Sequence, residues 1–230
     1  MDKRKSYFIG LDTETCNSYT TADGKLELKD SLVYDIGWAV CDKKGNILVE
    51  RSYIVREIFF GMREQMKTAY YAKKLPRYYD DIANGSRVVA SLWEIRKQLR
   101  ADYQEWNIKA IFAHNANFDY RALNNTVRYC SGSACRYFYP YGAELWDTLK
   151  MSKVITQQKS YRKFCEINNY MTNHNTPRPR ATAEILYRYI SGNTDFIESH
   201  TGLEDVKIET KIFAHCIRQH KKMNKLLFRE

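Results

Sequence analysis

The chain lacks the paired thiols of a zinc ribbon or a thioredoxin-type site. Its six cysteines are Cys16, Cys41, Cys130, Cys135, Cys165 and Cys216, and none forms a C-x-x-C pair. Cys130 and Cys135 have no second ligand pair nearby, so free thiols in a reducing compartment are expected. The chain also lacks any window approaching the roughly 18 uninterrupted apolar residues of a membrane span, so no membrane partner is expected. The N-terminal string Met1-Asp2-Lys3-Arg4-Lys5 carries no apolar signal region and no cleavage site, which points to a cytoplasmic location. There is no internal repeat and no low-complexity tail.

What is present is an apolar fraction of 44% over 230 residues, enough for a sizeable core. Lys plus Arg total 37 against 27 for Asp plus Glu, a net charge of +10. A surface of that sign attracts polyanions, of which nucleic acid is the commonest in a cytosol.

The pattern alternates strands and helices. Segments 6–11, 32–41 and 47–55 read as strands of an antiparallel meander, the turn Asp42-Lys43-Lys44-Gly45-Asn46 joining the second to the third. Further strands are expected at 108–113 and 143–147. Ser91 and Glu94 form a capping box that starts a helix running to about Trp106, and a helix is expected over 117–129. Thr201 and Glu204 form a second capping box for a helix over 202–218. Strands linked by helical crossovers make an α/β fold. Two stretches depart from this plan: a Tyr-, Lys- and Arg-rich insertion at about 56–90 and a basic loop at about 171–180.

The chemistry gathers in four acids and a histidine. Asp12 and Glu14 end the first strand and, two residues apart, share one face. Two like charges at the end of a buried strand are costly unless a cation lies between them. Asp119 lies amid a helical stripe of Ala122, Leu123, Thr126, Val127 and Cys130. Asp205 lies in the apolar arc of Ile208, Ile212, Phe213 and Cys216. Acids in such positions are seldom buried unless paired or metal-bound. Glu209 falls in the same arc, where an Arg or Lys partner is expected.

The strings D-x-E-T at Asp12 and Glu14, H-N-x-x-F-D ending at Asp119, and H-x-x-x-x-D from His200 to Asp205 resemble the three exonuclease motifs of the DEDD superfamily. The last spacing marks the DEDDh, or DnaQ-like, branch; its sister branch has a tyrosine in place of the histidine. Asp147-Thr148-Leu149 is similar to the D-T-L that follows the fifth strand in that family. The resemblance covers 6–218, more loosely at 56–90 and 171–199. It implies an RNase H-like fold over 1–230, a single exonuclease domain whose mixed five-stranded sheet has helices on both faces. It also implies 3′–5′ hydrolysis of phosphodiester bonds in single-stranded DNA.

Two cations roughly 4 Å apart both activate a water and stabilise a leaving oxygen. Oxygen ligands without thiolates favour two Mg²⁺, with Mn²⁺ able to substitute. By resemblance, Asp12 bridges the ions, Glu14 and Asp205 complete one and Asp119 supports the other. His200 takes the proton of the attacking water. His114 is expected to orient its turn instead. Thr13 and Thr15 are expected to offer backbone or hydroxyl contacts to the terminal nucleotide, and Asn115 and Asn117 polar contacts to the strand. Tyr71, Lys73, Lys74 and Arg77, with Tyr70, Tyr78 and Tyr79, interleave aromatics with base in a manner suited to a single strand. The expected partner is a nucleic acid 3′ end, DNA in preference to RNA, with any proofreading done in trans for a polymerase or repair partner. An exoribonuclease is the alternative reading; a non-catalytic binding module fits less well, since degenerate domains usually lose an acid. Compact chains of this kind resemble those encoded by bacteriophages.

Overall fold

A computed structural model describes residues 6–16, 19–20, 26–27, 30–67, 69 and 72–228. Its main sheet is built from β1 (Tyr7–Cys16), β2 (Leu32–Asp42), β3 (Ile47–Val55), β4 (Val88–Ala90), β5 (Ile108–Ala113) and β6 (Leu145–Asp147). The spatial order is β4-β3-β2-β1-β5-β6. β1 pairs antiparallel with β2, and β2 with β3. β5 and β6 run parallel to β1 beyond it, and β4 runs parallel to β3 at the other edge. The sheet is therefore mixed, as expected, but has six strands instead of five. The added strand has three residues, too few to show a period.

The helices of nine residues or more are α1 (Leu75–Ala83), α2 (Leu92–Glu105), α3 (Asn117–Ser131), α4 (Lys159–Ile167), α5 (Ala183–Ser191) and α6 (Gly202–Arg218). The segment 56–90 is thus largely short helices, with Arg56–Phe59 and Arg63–Lys67 preceding α1. No helix among the described residues is long and apolar enough to cross a membrane. All six cysteines are free.

Alternation along β1 divides the core. Tyr7, Ile9 and Leu11 pack with Leu92, Ile95 and Leu99 of α2 and with Leu123 and Val127 of α3. Phe8 faces the other way, into a second cluster with Ile212 and Phe213 of α6. There Phe213 stacks on Phe112 at 4.3 Å between ring centroids and meets Phe8 at 4.9 Å. Asp12 and Glu14 continue the even-numbered face and are the two half-buried residues in an otherwise buried strand.

Local chemistry sets the helix starts. Ser91 and Glu94 form the expected reciprocal capping box on α2. The second expected box does not form. Thr201 is the N-cap of α6, but its hydroxyl donates to Glu204 and its backbone N–H donates to Asp205 Oδ2 at 3.0 Å. Glu204 is drawn aside by Arg87, at 3.0 Å. The basic stretch 171–180 closes on itself, with Thr172 N–H donating to Arg178 O and Arg180 N–H to Tyr170 O.

The edge strand β6 gains a further partner in the C-terminal segment. Leu226 bridges to Trp146, and Leu227 N–H donates to Leu145 O. Lys150 Nζ donates to the carbonyls of Leu226 and Leu227 and ties that segment down.

Candidate active site

The C-terminal end of β1 meets the N-terminal ends of α3 and α6. Two glycines permit the closest of these approaches. A Cβ built on Gly37 of β2 would lie 2.2 Å from Leu203 N, and one on Gly202 would lie 2.7 Å from Gly37 N. The backbone of α6 therefore lies flush against the sheet beside Asp12, which pairs with Gly37 across β1 and β2. Asp35 fixes the same contact. Buried beside Glu14 in register, it accepts Gly202 N–H at 3.0 Å, the Tyr78 hydroxyl at 2.8 Å and the Arg87 guanidinium at 3.0 Å.

A cleft of about 600 Å³ opens there, with Asp12, Glu14, His200, Asp205, Glu198 and Glu209 in its walls. One oxygen or nitrogen each from Glu14, His200 and Asp205 falls within a mutual 4.8 Å. Asp119 reaches the cluster from α3, buried, its Oδ1 accepting the Thr13 hydroxyl at 2.8 Å. The three segments of the sequence thus bring Asp12, Glu14, Asp119, Asp205 and His200 to one place.

Crowding decides the electrostatics. Burial raises the Asp12 carboxyl well above its ordinary range, and Glu209, Asp119, Asp205 and Glu14 raise it further. Glu14 is raised by burial and by Asp35 and Asp205, with Lys74 opposing. Burial pushes Asp119 up to about 7, although the Thr13 hydroxyl lowers it. Burial also pushes Asp205 up to about 7, against the hydrogen bonds from Ser199 and Thr201. Like charges at such separations either take up protons or accept a cation. The donors are carboxylate oxygens and one imidazole, without thiolates, a set suited to a hard divalent ion.

His200 occupies the loop before α6 with a left-handed backbone, φ 50°. Its Nδ1 lies 3.8 Å from Glu198, and burial with Lys74 and Lys73 lowers its pKa below the ordinary 6.5. The imidazole is therefore neutral at neutral pH and able to accept a proton. Glu184 also approaches it, within a mutual 4.8 Å of Glu198 and His200.

His114 holds the turn before α3, in keeping with its expected role. Its Nε2 meets the Ala181 carbonyl at 2.8 Å, so Nε2 carries the proton; Nδ1 lies 3.1 Å from the Thr148 hydroxyl. Its backbone N–H donates to Glu209 at 3.2 Å. Glu209 was expected to have an Arg or Lys partner. No ion pair to it occurs among the described residues; it is a fifth carboxylate facing Asp12.

The expected substrate contacts divide. The Thr13 and Thr15 side chains lie on the buried face of β1, 4% and 8% exposed, and the Thr13 hydroxyl is taken by Asp119. They offer no hydroxyl to the cleft, because alternate residues of a strand point oppositely. Asn115 lines the cleft from a left-handed turn, φ 63°, and Asn117 lines the adjoining hollow. Lys74 Nζ donates to the carbonyl of Ser199, next to His200. Lys73 is exposed nearby, and Arg77 lies 3.7 Å from Asp81 on the outer side of α1. Tyr78 is buried against Asp35, so it belongs to the core, while Tyr79 is exposed. Tyr70 and Tyr71 lie outside the described residues.

Sequence reasoning missed Glu198, Lys74's grip on the histidine loop and the Gly37–Gly202 contact. Glu209 alone carried a signal, as an acid one helical turn beyond Asp205 within an apolar arc.

No family model and no curated protein matches the chain. Solved structures do. The nuclease domain of 3′hExo, a DEDDh family member bound to rAMP, aligns over 99% of this chain and 100% of its own, with TM-score 0.60 and 14% identity. A full-length 3′-exonuclease aligns over 96% of this chain and 63% of its own, at TM-score 0.55 and 13% identity. A zinc-bound form of E. coli ExoI with single-stranded DNA aligns over 94% of this chain and 41% of its own, at TM-score 0.50 and 13% identity. The chain therefore has the fold of the DEDDh 3′-exonucleases.

Proposed function

We propose that the chain is a metal-dependent exonuclease that removes nucleotides from the 3′ end of single-stranded DNA. The observation that carries this reading is the crowding of Asp12 by Glu14, Asp119, Asp205 and Glu209 at a strand end. Five carboxylates crowded at one buried place, with Lys74 as a nearby cation beside Glu14 and Asp205, are a poor structural device and a good ligand set.

Asp12, Glu14, Asp119 and Asp205 would hold two Mg²⁺, or Mn²⁺ in their place. Ions bound there would make a water more acidic and offset charge on the phosphate and the leaving 3′-oxygen. His200, neutral and half-exposed, takes the proton from the attacking water. Glu198 lies 3.8 Å from its Nδ1. Lys74 holds the histidine loop through Ser199 O and adds positive charge beside Glu14 and Asp205. Thr13 steers the Asp119 carboxylate, and Asn115 is placed to contact the terminal nucleotide.

DNA and RNA are both compatible with such a site. Among the structural neighbours, one is described with rAMP and another with single-stranded DNA. The discriminating group is the 2′-hydroxyl. Matched DNA and RNA oligonucleotides of one sequence, digested with Mg²⁺, test the proposal. Faster loss of the DNA strand is expected. Faster loss of RNA makes the chain an exoribonuclease, and stability of both strands defeats the reading.

A further inference from the structure

A second cleft lies behind the wall of the carboxylate site. Tyr120, adjacent to Asp119, stacks on Tyr139 with centroids 5.8 Å apart and planes 13° from parallel. Tyr139 is close enough to the acids that Asp119 and Asp12 add to the burial that raises its phenol. On the far side, these two rings border a hollow of about 480 Å³ that also holds Arg96, Arg100, Arg136 and Tyr141.

The arginines are held without carboxylates. Arg96 donates to the carbonyls of Phe138 and Tyr137 at 3.0 and 2.5 Å, which fixes the segment carrying Tyr139. Arg96 and Arg136 both lie over the Trp93 ring, at 5.7 and 5.4 Å. Arg100 Nε is buried and has no hydrogen-bond partner. No salt bridge to any of the three occurs among the described residues. Burial, Arg100 and Arg136 together depress the basicity of Arg96, so three like charges share one hollow. An anion in the hollow relieves that repulsion. Tyr141 stands fully exposed at the rim and Tyr137 about half exposed, flat faces beside the charges.

The hollow also connects to the carboxylate cleft. A third depression between them is lined by Asn115, Asn117, Lys150, Lys153 and Phe228. It shares Asn115 with the carboxylate cleft and Phe228 with the arginine cleft. A groove of guanidinium charge and aromatic faces matches the alternating phosphates and bases of a single strand.

We propose that the cleft of Arg96, Arg100 and Arg136 with Tyr137 and Tyr141 binds single-stranded nucleic acid, taking phosphates and bases on the 5′ side of the bond being cut. This proposal rests on the exonuclease reading for its polarity, but binding in the cleft is measurable without turnover. The test uses the full chain, wild type and Arg100→Gln/Arg136→Gln, with Arg96 left to hold its carbonyls. Fluorescence anisotropy in EDTA measures affinity for a 15-nucleotide oligothymidylate across a salt series, and a second assay follows hydrolysis of a dinucleotide with Mg²⁺. The double variant is expected to bind the long strand at least tenfold more weakly. Its log–log salt slope is expected to flatten by roughly 0.7 for each phosphate that the variant no longer neutralises, while dinucleotide hydrolysis is retained. Tyr141→Ala, fully exposed and so harmless to folding, is expected to weaken long-strand binding about fivefold or more. Unchanged affinity and slope in the double variant, with wild-type affinity in Tyr141→Ala, overturn the proposal and leave the exonuclease reading standing. Weakened binding in an enzyme that cuts no substrate keeps the cleft as a nucleic-acid site and removes the exonuclease reading.

Discussion

Gly37 and Gly202 touch backbone to backbone, and this contact seats the N-terminus of α6 beside Asp12. A methyl group on Gly37 meets the Leu203 backbone at 2.2 Å, where no side-chain movement gives relief. Gly37→Ala is therefore expected to displace α6 and carry Asp205 and His200 away from Asp12. A stability loss of about 1–3 kcal/mol is expected from overpacking of this kind, together with a larger proportional loss of activity than of folded protein. Thermal melting and turnover on one preparation check this; full activity with a normal melt contradicts the packing account.

Asp12→Ala removes the carboxylate that the other acids crowd most. Hydrolysis is expected to vanish, while the metal-free protein melts at or above the wild-type temperature because like-charge repulsion is relieved. A collapsed fold instead makes Asp12 a structural residue.

Metal-free stability should depend on pH with an unusual sign. Asp119 and Asp205 are raised to about 7 and Glu198 to about 8, chiefly by burial. A carboxyl raised in the folded state binds its proton more tightly there than in the unfolded chain. Its contribution is thus fully present below the unfolded pKa of about 4 and is lost as pH rises through 7 to 8. Without metal, the melting temperature is expected to fall across that range. Mn²⁺ is expected to restore it at pH 8 and to do little at pH 5, where protons occupy the same oxygens. A melting temperature that stays flat in EDTA, or no Mn²⁺ effect at pH 8, contradicts the ligand assignment.

His200→Ala is expected to lose roughly 10² to 10⁴ in rate, the usual contribution of a general base, yet to keep its affinity for Mn²⁺. Because the backbone at His200 is left-handed, His200→Asn provides a control without added strain. The wild-type rate should rise through a pKa below 6.5, the direction set by burial, Lys74 and Lys73, and then level off. In the variants, higher pH should recover part of the rate. A loss of Mn²⁺ affinity as large as that of Asp205→Ala makes the histidine a ligand instead.

Much of this arrangement is legible in the sequence because short-range rules determine it. Alternation along β1 puts Asp12 and Glu14 on one face, and helical stepping puts Asp119 and Asp205 inward. What the sequence hides depends on tertiary neighbours. Thr13 looks available until the register turns it towards Asp119. Thr201 and Glu204 have the spacing of a capping box, but Arg87, 117 residues away in sequence from Glu204, claims the glutamate. Tyr78 shares a tyrosine-rich stretch with exposed residues but is core, its ring packed on Tyr34 and Phe59 and its hydroxyl donated to Asp35. Glu198 has no sequence signal, since its meaning lies in the distance to His200.

The most direct test of the central claim follows a 5′-labelled single strand of DNA over time with and without Mg²⁺, using wild type and folded Asp12→Ala. The account predicts a ladder that shortens one nucleotide at a time from the 3′ end, only with Mg²⁺ and only in the wild type. A ladder that persists in Asp12→Ala, or immediate release of a labelled mononucleotide from the 5′ end, contradicts it.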